Sequence, residues 1–247
     1  MKLKIATWNL QLPVSAQRRK KMRLHTDLEQ ADIWVLTETH DGFSPGDEYK
    51  AVSSAAGRDG THKAEHRWVS IWSKHPLEPL KTSDSERTAA ARVCPASGDP
   101  YIVFGTVLPW IGSKWQGHPS AGGVAFSEAL AVQLADWVAL RKKFPKDEFF
   151  LLGDFNQDLV SPPRYYGSVT NRKALEAALE RVGLVPLTGG DNDPIRHASS
   201  PCACIDHICI RRDSKWLAGS TVRWPDSPVP QRGLSDHFGV SVSLSRR

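Results

Sequence analysis

The stretch FFLLGDFN, residues 149–156, sets the frame for reading the chain. Phe149 to Leu152 is a short apolar run of the kind a buried strand requires. It leads directly into Gly153, Asp154, Phe155 and Asn156. A carboxylate is costly to desolvate unless it is paired or bound to a metal. Taken alone, Asp154 after a glycine also reads as a turn residue. The pattern recurs, however. IATWN ends on Asn9, IWVLTE ends on Glu38, CIDHICI carries Asp206 and His207, and LSDHFGV carries Asp236 and His237. Several apolar strands that deliver acids, amides and imidazoles imply one shared polar site at the rim of the sheets. An oxygen-rich ligand set of this kind suits a hard cation, Mg2+ or Mn2+.

Outward from these strand ends, residues 2–8, 33–36, 68–72, 88–93, 102–107, 205–210 and 238–244 read as further strands. Between Gly122 and Phe144, the residues Phe126, Leu130, Leu134, Trp137 and Val138 recur at helical spacing, and Pro145 stops the helix after Lys142 and Lys143. A second helix is expected from an Asn171 cap through Leu175, Ala178, Leu179 and Val182 to Gly183. Residues 15–30 carry only a partial helical face. Arg18, Arg19, Lys20, Lys21 and Arg23 there read as a solvated surface rather than a nucleic-acid patch. Residues 41–65 read as loop. Neither a repeat nor a linker interrupts the chain, so one domain over residues 1–247 is expected. Its strands come in pairs with few long helices, which argues for an α/β fold of packed sheets flanked by helices.

The 247 residues, 40% hydrophobic and 24% charged, suit a globular protein with one large core. The formal net charge is +5, a modest pull toward polyanions. The N-terminus, MKLKIATWNL, lacks an extended apolar stretch with a cleavage site, and no apolar run suggests a membrane span. Cys94, Cys202, Cys204 and Cys209 do not form a disulfide framework or the paired spacing of a zinc site, so free thiols and a cytoplasmic location are expected.

The order TWN, an acid closing the next buried strand, GDFN, IDHI and a C-terminal SDHFGV resembles the endonuclease/exonuclease/phosphatase superfamily, and the likeness runs from Asn9 to Val240. The strand RWVSIWSKHP at residues 67–76 is similar to a family element as well. The resemblance implies a four-layer sandwich of two mixed β-sheets flanked by helices. It also implies a divalent-metal-dependent phosphoester hydrolase. Carried over residue by residue, Asn9, Glu38 and Asp236 would hold the metal. Asp154 would activate water, Asn156 would bind a phosphoryl oxygen, and His237 would face the scissile phosphate, oriented by Asp206. His207 should point to the opposite face of its strand.

The chain departs from the family in two places: Thr37 stands where many members have glutamine, and Val107 where many have a phosphate-gripping histidine or tyrosine. The loop after Val107, LPWIGSKWQGHPSAGG, offers Trp110, Lys114, Trp115 and His118 as substrate-binding residues, although tryptophans there would equally pack the loop onto the body. A monomeric nuclease acting on DNA or RNA is expected. The alternatives are a small-molecule or lipid-headgroup phosphoesterase on the same site, or an inactive binding module.

Overall fold

The computed structural model describes residues 2–57, 63–159, 165–196, 201–231 and 233–247. Its first strand, β1 (Lys2–Asn9), alternates: Leu3 and Ile5 face one core while Ala6 and Trp8 face another. A strand buried on both faces must lie inside a stack of layers. It pairs in parallel with β2 (Ile33–His40) and antiparallel with β12 (Gly239–Arg246), so the two ends of the chain meet at the middle of one sheet. β3 (Lys50–Ser53), β4 (His66–Ser73) and β11 (Trp216–Trp224) complete it in the order β11-β12-β1-β2-β4-β3. The second sheet runs β5-β6-β7-β8-β10-β9. Its strands are β5 (Leu77–Leu80), β6 (Thr88–Val93), β7 (Tyr101–Val107), β8 (Glu148–Asp154), β9 (Leu184–Pro186) and β10 (Asp206–Arg211).

Between the sheets lies a core that includes Ile5, Val35, Ile71, Val103, Phe150 and Leu152. On the outer face of the second sheet, α2 (Val124–Lys143) and α3 (Val169–Arg181) bury Phe126, Trp137 and Leu175 against Phe104 and Leu151. On the outer face of the first, α1 (Ala16–Glu29) contributes Met22 to a cluster with Trp8, Trp34 and Trp224. Each such side chain, fully buried, contributes about 1.5–3 kcal/mol. The result is the four-layer arrangement of two mixed sheets with helices outside.

Several boundaries differ from the sequence reading. Ser168, not Asn171, caps α3: its hydroxyl accepts the Asn171 N–H at 3.0 Å, which places Asn171 inside the first turn. β3 falls within the stretch whose sequence suggests a loop, and the sequence pattern does not mark β5, β9 and β11 as strands. All four occupy or adjoin sheet edges, where few residues are buried and the apolar alternation is weak. The helical stretch Ala121–Lys143 is long and apolar enough to cross a membrane by length and composition alone, which is weak evidence for a span and leaves the sequence expectation standing. Its apolarity has a local explanation, since Phe126, Leu130, Trp137 and Leu140 pack into the outer core.

Candidate active site

The strand-end side chains converge at one rim. Asn9 ends β1, Glu38 lies near the end of β2, Asp154 ends β8, Asp206 begins β10, and Asp236 and His237 immediately precede β12. β8 and β10 run antiparallel with Asp154 and Asp206 as direct partners, so two acids from distant sequence become neighbours. Asn9 links the sheets. Its Nδ2 donates to Glu38 Oε1 at 3.1 Å and to Asp154 Oδ2 at 3.0 Å, while its Oδ1 accepts the Gln11 N–H at 2.8 Å. His237 Nδ1 lies 2.6 Å from Asp206 Oδ2, and the other Asp206 oxygen is buried without a hydrogen-bond partner among the described residues. Asp154 Oδ1 accepts the Asn156 N–H at 2.9 Å, and Asn156 Nδ2 donates to the Leu108 carbonyl at 2.9 Å, leaving its second amide hydrogen for another acceptor.

The backbone is shaped to make these approaches. Glu38 and Asn156 have φ of +45° and +50°, a conformation uncommon outside glycine and frequent at functional positions. Gly153 has φ +135°, and a Cβ there would lie 2.0 Å from the Thr106 carbonyl. Only glycine lets β8 lie this close to β7 just before Asp154. Ser235 fixes the last segment: its hydroxyl donates to the Asn9 carbonyl at 2.6 Å and accepts the His237 N–H at 3.1 Å. The Trp8 indole donates to the His237 carbonyl at 3.2 Å.

The electrostatics follow from crowding acids in a dry place. Burial pushes the Asp154 carboxyl up and the neighbouring Asp206 adds to it, so that it reaches about 7. Burial also raises Glu38, with Asp154 and Asp236 adding to the effect and the Asn9 hydrogen bond opposing it. Burial alone would lower His237, but Asp206 and then Asp154 outweigh it and bring the imidazole up to about 10. At neutral pH the ring is therefore an imidazolium. Asp154, Asp206 and His237 place potential ligand atoms within 4.8 Å of one another. A charged ring hydrogen-bonded to Asp206 is a hydrogen-bond donor rather than a ligand. The carboxylates outnumber the cations beside them, and one buried oxygen lacks a partner. This arrangement fits a bound divalent cation. A second group, His40, Glu65 and His66, lies at the paired ends of β2 and β4. There each ring uses Nδ1 to accept a backbone N–H, from Gly42 at 2.9 Å and from Lys63 at 3.2 Å.

The loop after β7 is only partly where the sequence suggested. Its root joins the site, since the Leu108 N–H donates to the Asp154 carbonyl at 2.9 Å. Trp110 and Lys114 are exposed and His118 is half-buried. Trp115, expected to contact substrate, is instead buried, with its indole donating to Asp84 Oδ2 at 2.8 Å and its ring stacked on His118. It and His118 close a two-residue turn, so the alternative holds for Trp115: it packs the loop onto the body. Val107 is buried in the inter-sheet core and offers no phosphate grip. Arg87, whose carbonyl accepts the Val107 N–H, is buried under this loop with its guanidinium 4.3 Å from the Trp68 ring centre.

The sequence reading also missed Arg18. Its guanidinium donates to the carbonyls of Leu10, Gln11 and Leu234 at 2.9, 2.9 and 2.6 Å, tying α1 to both chain segments that carry the site. Arg18 is thus a clamp rather than part of a solvated face, while Lys20 and Lys21 are exposed. His207 points away from the site: Nε2 donates to the Gln157 carbonyl at 3.0 Å and Nδ1 faces the Thr188 hydroxyl at 3.3 Å. All four cysteines are free.

Two sheets with metal-compatible carboxylates at one rim define a class, the α/β-sandwich phosphoesterases. Residues 6–237 match the profile of the Endonuclease/Exonuclease/phosphatase family, and the chain belongs to that family. Its members are divalent-metal-dependent hydrolases of phosphoester bonds. Among solved structures it is similar to the Neisseria 3′ phosphatase NExo bound to product DNA hairpin, at 18% identity, covering 97% of this chain and 98% of that one, TM-score 0.67. It is similar to D. rerio TDP2 complexed with single-strand DNA product, at 14% identity, 99% of each chain and TM-score 0.62. It is also similar to a mannosyl-6-phosphatase from Bacteroides thetaiotaomicron, at 16% identity, 98% and 99% coverage and TM-score 0.64. At these identities the likeness is one of fold. No curated protein sequence matches the chain.

Proposed function

We propose that this protein is a metal-dependent nuclease that hydrolyses phosphodiester bonds of DNA or RNA. The observation that carries the hydrolytic reading is the His237–Asp206 pair at 2.6 Å beside a buried Asp154, with Asn9 joining Asp154 to Glu38. In this reading Glu38 and Asp236, steadied by Asn9, hold Mg2+ or Mn2+. The ion supplies charge that stabilises the developing phosphoryl oxygens. Asp154, buried beside Asp206 and positioned by Asn9, takes the proton of the attacking water. His237, cationic through Asp206, donates its Nε2–H to a phosphoryl oxygen that gains charge in the transition state. The remaining Asn156 amide hydrogen reaches a second oxygen.

The choice of nucleic acid rests on the basic balance, the exposed Trp110 and Lys114 near the site, and the DNA products bound by two structural neighbours. The sugar-phosphatase neighbour favours the second reading, a small phosphoesterase on the same residues. A screen of purified protein with Mg2+ or Mn2+ tests the choice, using plasmid, single-stranded DNA, abasic duplex, RNA, a generic phosphodiester and a sugar phosphate. Cleavage of nucleic acid that weakens steeply with salt is expected. Hydrolysis of the small esters alone would establish the second reading. No hydrolysis of any substrate would favour a binding module.

A further inference from the structure

The wall of the cleft next to His237 is built with unusual care. Tyr165 lines it together with Asp206, Asp236 and His237. The residue is 45% exposed, and Tyr166 stands half-buried beside it with ring centres 6.4 Å apart. Both phenols lie close to the acids of the site. Burial raises each; a hydrogen bond with Cys202 then adds for Tyr165 and the Asp154 charge for Tyr166, with Asp236 contributing to both, so both stay protonated at neutral pH.

What holds them is Asp158, a carboxylate with no exposure. Its Oδ2 accepts the N–H of Tyr165 at 2.6 Å and of Tyr166 at 2.5 Å, and its Oδ1 lies 3.3 Å from the Arg172 guanidinium on α3. Just beyond, Gln157 Oε1 accepts the Ser168 N–H at 3.0 Å, fixing the other end of the turn. A buried charge is costly, and here it is satisfied by the backbone of these two tyrosines and one arginine. This anchor fixes the backbone from which the exposed Tyr165 ring and the half-buried Tyr166 ring project, and so limits where the rings can point.

An aromatic face beside a phosphate site gives a phosphate little to bind, because it carries no charge. It does suit a flat heteroaromatic ring one sugar away from the phosphate. We infer that Tyr165, backed by Tyr166, is the platform on which a nucleobase adjoining the scissile phosphate stacks, and that Asp158 is its positioning residue. This inference rests on the nuclease reading above and moves base recognition from the loop after β7 to the segment before α3.

The test uses two oligonucleotides of equal length, one with ordinary bases and one with abasic sites flanking the scissile phosphate, hydrolysed with Mg2+ or Mn2+. Tyr165→Ala should raise KM for the base-bearing strand roughly 5- to 100-fold, the range that base–aromatic stacking supports. The abasic strand should be hydrolysed by Tyr165→Ala as it is by the unaltered protein. Tyr165→Phe, which keeps the ring, should recover most of the loss. Asp158→Asn should raise KM on the base-bearing strand while kcat changes little. Equal effects of Tyr165→Ala on both strands, or no effect on either, would overturn the inference and leave the nuclease reading intact. If the unaltered protein cleaves neither strand yet hydrolyses a small phosphodiester, the nuclease reading fails and the inference fails with it.

Discussion

Both ends of the sandwich carry charged side chains, and they treat them differently. At the end opposite the site, a cavity is lined by Asp99, Asp147, Glu148, Arg211, Asp213 and Arg246 among others, and its charges are matched. Arg246 pairs with Asp99, Arg211 with Asp213 at 2.7 Å, Arg92 with Asp147 at 2.8 Å, and Glu148 accepts the Ser214 hydroxyl at 2.7 Å. At the site end, Glu38, Asp154, Asp206 and Asp236 crowd around His237, with Arg18 committed to backbone carbonyls. The presence of charge therefore does not mark the candidate site. The signature is a local imbalance that the fold tolerates only because something else is meant to complete it.

The largest test of this contrast is kinetic. Asp154→Asn and His237→Ala should each lower kcat by two or more orders of magnitude with circular dichroism unchanged. Retention of near-normal turnover by either would remove its assigned role. Asp206→Asn should lower kcat about tenfold or more. It should also move the imidazole titration of His237, followed by NMR, down from about 10 toward its ordinary value, because Asp206 is the main upward influence. An unchanged titration would mean that the pair is only a packing contact.

A third effect is thermodynamic. The folded Asp154 carboxyl is raised to about 7 while the unfolded one titrates near its ordinary 3.8. The folded state therefore holds the proton more tightly. Its contribution is fully present below the unfolded value and is lost as pH rises through about 7. In chelator, Tm should fall across that window, by an amount on the order of a few kcal/mol in stability. Asp154→Asn or saturating Mg2+ should remove most of the fall. A flat Tm in chelator would show that the crowded acids carry no penalty. The smallest effect belongs to the other end: Arg246→Ala breaks a partly exposed pair and should change stability in urea by less than about 1 kcal/mol, with kcat unaltered.

The central strands were readable because burial on one or both faces writes itself into residue type, as in Phe149 to Leu152. The site was readable because strand ends that carry acids into a core are rare enough to notice. Edge strands such as Lys50–Ser53 and Leu77–Leu80 were not readable, since their residues are mostly exposed and β-propensity alone is weak. Trp115 shows a different limit. Whether a loop tryptophan faces solvent or a buried carboxylate depends on Asp84, which is 31 residues away in the chain. Arg18 and Asp158 were missed for the same reason: their partners are backbone groups, and the sequence does not say which ones lie in reach.

The bond from the Ser235 hydroxyl to the Asn9 carbonyl joins positions 226 residues apart. During synthesis Asn9 emerges 226 residues ahead of that partner, and Asp206 emerges 31 residues ahead of the imidazole it faces. A nascent chain that has made every other strand still lacks β12, and β1 is still missing one of its two neighbours. The strand that carries Asn9 is therefore flanked on both sides only once the segment bearing Asp236 and His237 has docked beside it.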